Sequence, residues 1–169
     1  RVLPGRADGF HGIESIFQTV DLYDELTLTT VAQKGCFVHC SSMKLPENNT
    51  LTKAYNAFCK VTGCVVPGLE IDLKKGIPSG GGLGGGSSDA AALVRMLERL
   101  CDVRLSDSEL DDIAAETGSD VFFFMHCDEK GRGCALVSGR GENVEKIHGR
   151  DVLFMVLIFL VVRCSTIEA

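Results

Sequence analysis

The chain has 169 residues, 45% of them apolar and 24% charged, with a formal net charge of -6. That length and balance fit one globular domain with its own core and exclude a disordered or low-complexity chain. The balance is acidic and no Lys/Arg cluster exceeds a pair, which argues against a nucleic-acid partner, so any phosphate has to be gripped locally.

Ile13 to Val20 and Leu22 to Thr30 are rich in β-branched residues and separated by Asp21, which predicts two strands. Gly35 to Asn49, broken by Ser41, Ser42 and Pro46, reads as irregular. Leu51, Ala54, Tyr55, Phe58 and Val61 recur at helical spacing and predict an amphipathic helix stopped by Gly63. "LEIDL", residues 69–73, alternates like a strand. After a glycine loop, "SSDAAALVRMLERL" predicts a strong helix starting near Ser87. Ser106 and Glu109 form a capping-box signature for a further helix through Glu116, stopped by Gly118. Strands are expected again at Cys134 to Ser138 and in the apolar run Val152 to Val162, which is too short to span a bilayer and reads as a strand buried on both faces. Strands and helices mix without regular alternation, which predicts an α+β layer and not a doubly wound sheet. The start at Arg1 and the end at "CSTIEA" read as the ends of a fragment, with residues 1–169 drawn as a single domain.

The eight cysteines contain no CxxC pair and read as reduced thiols used as small apolar residues. Cys36, His39 and Cys40 are the one local set with ligand chemistry, but two more zinc ligands would have to come from elsewhere, so no metal ligand is assigned.

"KKGIPSGGGLGGGSSDAAAL" carries six glycines between residues 80 and 86. Glycine at that density is entropically costly and is repaid where main chain must approach a ligand closely. The order strand, glycine loop, helix start offers unpaired N–H groups, a positive dipole end and the Ser87 and Ser88 hydroxyls, a setting suited to phosphates. The competing reading is a flexible linker, which does not abut a strong helix. A Walker loop is excluded because no lysine follows the glycines. Gly80, Gly82 and Gly85 do satisfy G-x-G-x-x-G, but the acidic-ended second strand of a dinucleotide unit is replaced by the polar "CDVRLSDSEL".

"IPSGGGLGGGSSDAAA" resembles the signature P-x-x-x-G-L-G-x-x-x-S of the GHMP kinases, and the likeness extends to "GRADGFHGIESIFQTVDLYDELTL", "ENNTLTKA", "TGSDVFFFM" and, more weakly, "GRGENVEKI". Within the family the segments "RADGFH" and "GLGGGSSDAA" are most like the branch whose substrate is 4-diphosphocytidyl-2-C-methyl-D-erythritol, of the non-mevalonate isoprenoid pathway. The resemblance implies a two-layer α+β N-terminal kinase domain with a left-handed β-α-β crossover. It implies ATP-dependent phosphorylation of the 2-hydroxyl of that substrate, with Mg²⁺ bridging ATP. Another small-alcohol kinase of the family and a nucleotide-binding fragment without turnover are the alternatives.

In residue terms, the resemblance implies ATP contacts from Asn49, Lys75, Pro78, Gly80, Gly81, Gly82, Leu83, Gly84, Gly85, Gly86, Ser87 and Ser88. Asn49 also reads as a helix cap, and Lys75 as a solvated charge at a strand end. Asp120 is implied to be the catalytic base. Its bland alternative is an Asp capping the next turn. Where the family reads D-V-P-F-F, this chain has Phe122, which lacks the fixed φ and brings an N–H to satisfy. Asp89 reads as a carboxylate favoured by the helix dipole. Phe10 and His11 are implied to hold cytosine, by stacking and by a directional hydrogen bond. The family's A-K-x-N strand and second glycine-rich segment have no counterpart in these residues, and Lys34, Lys44, Lys53 and Lys60 lie in other contexts. A small-molecule substrate, no nucleic acid and no membrane are expected as partners, compatibly with a homodimer. The expected location is the cytoplasm, or a plastid-type stroma in a eukaryote.

Overall fold

The computed structural model describes residues 2–5, 11–149 and 153–158. In chain order the elements are β1 (Val2–Gly5), β2 (His11–Gln18), β3 (Glu25–Val31), β4 (Cys36–Cys40), α1 (Thr50–Thr62), β5 (Gly68–Lys74), α2 (Gly85–Cys101), α3 (Asp107–Thr117), α4 (Val121–Met125), β6 (Cys134–Gly139) and β7 (Asn143–Lys146). The strands form an antiparallel sheet in the order β1-β2-β6-β7 and a mixed one in the order β3-β5-β4, in which β5 runs antiparallel to β3 and parallel to β4.

The mixed sheet shows why strand periodicity matters here. Leu69, Ile71 and Leu73 of β5 are buried while Glu70, Asp72 and Lys74 face out. Register places Leu28 of β3 and Val38 of β4 on either side of Ile71, so one face is apolar across all three strands. Helices cover that face. Leu51, Tyr55 and Phe58 of α1, Leu93, Val94 and Leu97 of α2 and Ile113 of α3 join the β5 side chains in one core. Each such large apolar side chain fully buried contributes about 1.5–3 kcal/mol against the entropy of ordering the chain. A smaller cluster of Phe123, Ala135 and Val137, with Phe17 edge-on to Phe123 at 5.4 Å, joins α4 to the other sheet.

The helix ends follow their signals. Asn49 caps α1, its side chain accepting from the N–H groups of Leu51 and Thr52, and Gly63 at φ 67° ends the helix. Ser106 and Glu109 form the reciprocal capping box of α3. Ser106→Ala is expected to cost about 0.5–2 kcal/mol. At roughly 2–4 °C per kcal/mol this is a measurable drop in the calorimetric Tm, and no drop would show the box to be idle.

Three expectations are corrected and one element is added. Residues 36–40, read as irregular, form β4, because an edge strand supported by β5 on one side needs little propensity of its own. The second strand begins at Glu25 and not Leu22, since Leu22 N–H bonds to Val20 O in a tight turn. Residues 121–125 form the short helix α4. The run expected as a doubly buried strand is irregular over 153–158, with Phe154, Val156 and Ile158 at least 84% exposed. Neither described sheet includes a strand from residues 153–158. The seven described cysteines are free thiols, five of them packed against the main core, where burial pushes Cys36 up to about 11. Among the described residues no helix is long and apolar enough to cross a membrane.

Candidate active site

The glycine loop leaves β5 at Lys74 and returns at Gly85, the first residue of α2. Gly80, Gly82 and Gly84 have φ of 77°, 69° and 67°, a region other residues enter only with strain. Gly84 is also pressed for space, since a Cβ there would stand 2.8 Å from the Phe124 ring. Whereas Asn49 and Ser106 satisfy the first N–H groups of α1 and α3, Gly84 caps α2 without a side chain. Ser87 and Ser88 turn their N–H groups back to Gly84 O, and the N–H groups of Gly85 and Gly86 have no acceptor among the described residues. Orphan donors at a dipole's positive end are an anion site in waiting.

The loop separates two cavities. One of about 300 Å³ is lined by Asn49, Lys75, Pro78, Gly80 to Gly86 and Ser87, together with Met43 and Leu45, which carried no expectation. The other, of about 670 Å³, holds Ser88, Asp120, Tyr23, Phe17 and Arg95. Gly82, Leu83, Gly84 and Asp89 line both, so the turn of the loop is the shared wall. Asn49 therefore caps α1 and lines the smaller cavity at once.

Asp120 opens α4 from the edge of the larger cavity, and its side chain makes no cap hydrogen bond. The bland capping role thus fails for the side chain. Although Asp120 is exposed to solvent, surrounding protein withdraws enough hydration to raise its carboxyl above the usual range. Three contacts hold it in place. Arg95 Nη2 donates to the carbonyls of Phe124 and Cys127 at 3.0 Å, tying the far end of α4 to α2. Phe122 adopts helical backbone at the position of the family's proline and packs against the core. Gly141 lies against Ser119, where a Cβ would come within 2.7 Å of the carbonyl oxygen. The last contact gives "GRGENVEKI" a reason to resemble the family, although no role was read for it.

The remaining feature was missed as a unit. Because Glu25 pairs with Lys74 across β3 and β5, Asp24 falls beside Lys75. One Asp24 oxygen accepts from Gly76 N at 2.7 Å and Ile77 N at 2.8 Å, and the other accepts from Lys75 Nζ, which also donates to Asp89 at 3.3 Å. Lys75 is consequently no solvated strand-end charge, nor is Asp89 a free dipole partner. Their side chains are 11% and 4% exposed, and that of Asp24 is 1% exposed. Burial raises the Asp89 carboxyl to about 7 even against the pull of Lys75, with Asp24 beside it adding to the rise. Asp24 moves down instead: against the cost of burial, two N–H groups and the ammonium favour its charged form. Lys75 is raised, because the carboxylates outweigh burial. The three directions agree on one arrangement, with Lys75 and Asp24 ionised and Asp89 holding its proton up to neutral pH.

Phe10 lies outside the described residues, as does the side chain of His11, whose backbone begins β2.

Residues 49–128 match the GHMP kinases N terminal domain. Over 167 residues the chain is 44% identical to the 4-diphosphocytidyl-2-C-methyl-D-erythritol kinase of Thermotoga maritima, covering 99% of this chain and 58% of that one. It is 46% identical over 140 residues to the same-named kinase of Treponema pallidum, covering 82% of this chain and 46% of the relative. The chain thus spans about half the length of the curated relatives it matches. A crystal structure of 4-(cytidine 5'-diphospho)-2C-methyl-D-erythritol kinase superposes with a TM-score of 0.68 at 31% identity, over 86% of this chain and 50% of that one. With the uncapped helix behind a glycine loop already in place, these likenesses assign residues 49–128 to the GHMP kinases N terminal domain, within a chain similar to those kinases along nearly all of its length.

Proposed function

We propose that residues 1–169 form the ATP-binding domain of a kinase that phosphorylates the 2-hydroxyl of 4-diphosphocytidyl-2-C-methyl-D-erythritol. One observation carries this reading: the free N–H groups opening α2 line the smaller cavity directly after the loop turn that walls it from the larger, and Asp120 stands in the larger. The names of the relatives at 44% and 46% identity supply the acceptor.

The adenosine part of ATP occupies the smaller cavity near Asn49, Lys75 and Met43, and the phosphates lie along the loop from Pro78 to Ser88. Backbone N–H groups held in place offset charge on the transferring phosphoryl group without reorganising during the reaction. The acceptor alcohol enters from the larger cavity, where Asp120 takes its proton. A carboxyl raised by the loss of hydration to surrounding protein is a better base than a fully hydrated one. Phe10 and His11 hold the cytosine. Among the described residues no group of three or more His, Cys, Asp or Glu could hold a metal alone, which suits Mg²⁺ arriving on the nucleotide. The Ser87 and Ser88 hydroxyls are the nearby oxygens that would hold it, and the ion would supply neutralisation of phosphate charge. The enzyme is placed in the cytoplasm.

The test is ATP turnover by the full-length protein with the cytidine substrate, alongside mevalonate and homoserine. Turnover of the cytidine compound and protection by CDP are expected. Turnover of mevalonate or homoserine instead removes the acceptor assignment, and ATP binding without any turnover reduces the chain to a nucleotide-binding module.

A further inference from the structure

We infer that Asp24 is the positioning residue of the phosphate loop, joining the loop's two ends through one buried carboxylate. This rests on the nucleotide reading of the loop given above. At the outgoing end Asp24 holds the N–H groups of Gly76 and Ile77, and through Lys75 it reaches Asp89 in the first turn of α2, at the returning end. Between those ends the chain has little to define its path. Among the described residues, Ser79 Oγ to Met43 S is the one side-chain hydrogen bond from residues 78–84, and three of those residues have left-handed glycine backbone. A loop with free ends would lose its donors to solvent and to many conformers, so anchoring them is what lets bare N–H groups meet a polyphosphate.

The approach is also too close to be incidental. A Cβ on Gly76 would lie 2.2 Å from Tyr23 O, so the glycine is what lets the loop base meet the backbone beside Asp24. Asp24 lines only the larger cavity, and it is not among the residues around the smaller, proposed nucleotide cavity. Its effect on the nucleotide is therefore indirect, chiefly through the phosphate loop, with Lys75 as its link to the smaller cavity.

Asp24→Asn tests this, because it keeps the shape and an oxygen for Gly76 and Ile77 but drops the charge that holds Lys75. ATP and adenosine are titrated calorimetrically into the intact protein and the variant. ATP is expected to bind at least tenfold more weakly to the variant, with adenosine weakened by no more than about threefold, since Lys75 keeps Asp89 as a partner. Unchanged ATP affinity overturns the inference, as does equal weakening of both ligands, which reports a distorted cavity. Should Asp24→Asn not fold, Asp24→Glu carries the same comparison. Its restored charge on a displaced carboxylate is expected to weaken ATP selectively, and equal effects on both ligands again overturn the assignment. If the unmodified protein binds adenosine but gains nothing from the phosphates of ATP, the phosphate-loop reading fails and this inference with it.

Discussion

Asp120→Asn is expected to lower kcat by about 10²–10⁴-fold, the range for removing a positioned general base. ATP affinity should stay within about twofold, because Asp120 lines the larger cavity and not the one around Asn49 and Lys75. Asparagine fills nearly the same volume at the start of α4, and the aspartate makes no cap hydrogen bond there to lose, so stability should scarcely change. Steady-state turnover of the full-length protein, beside ATP calorimetry, reads the two effects separately. The remaining rate should also lose its rise with pH, since that rise reports ionisation of the Asp120 carboxyl, whose titration burial moves upward. Full activity in the variant would remove Asp120 as the base. A parallel loss of ATP binding would reassign it to holding the site together.

The outcome depends on how α4 is fixed, and there the sequence was only partly legible. The glycine loop announced itself because nothing but close approach or left-handed backbone explains six glycines in seven positions, and Gly80, Gly82 and Gly84 take that backbone. The ends of α1 and α3 were equally plain, because Asn49, Gly63 and the Ser106–Glu109 pair act within a few residues of themselves. What stayed hidden is set by distance along the chain. Arg95 reaches Phe124 O across 29 residues, and Gly141 meets Ser119 from the turn between β6 and β7. β4 was lost because five residues running straight into Ser41 and Ser42 carry too little pattern to outweigh those breakers. The described part of the apolar run, 153–158, shows the opposite error, since composition signals a strand while only a neighbour can make one. The Asp24–Lys75–Asp89 group joins both cases. Asp24 and Lys75 are 51 residues apart and meet through the register of β3 and β5, whereas Asp89 lies 14 residues from Lys75, across the loop itself.

That group leads to the second large effect, in the pH dependence of stability. Burial pushes the Asp89 carboxyl up to about 7 in the folded protein, well above its ordinary range, so the folded state holds its proton more tightly than the unfolded chain. Linkage then requires the stability contributed at this site to be complete below about pH 4, to decline between about 4 and 7, and to level off above. Asp24 has the opposite sign, and its contribution is lost only as pH falls below the ordinary carboxylate range. Asp120 is raised like Asp89 and adds to the same decline. Asp89→Asn removes the ionisable carboxyl but keeps the shape and an acceptor for Lys75, which retains Asp24 as its ionised partner. The variant should therefore gain on the unmodified protein as pH rises from 5 to 8, by at least about 1 kcal/mol and by no more than about 4 kcal/mol, given about 1.4 kcal/mol per pKa unit. At this chain length the lower figure corresponds to a Tm difference of roughly 2–4 °C, within reach of calorimetry at the two pH values. Parallel Tm profiles for the two proteins would mean that Asp89 is ionised throughout. Lys75 would then be shared between two carboxylates, and the first turn of α2 would present a negative charge to the very phosphates its N–H groups are placed to hold.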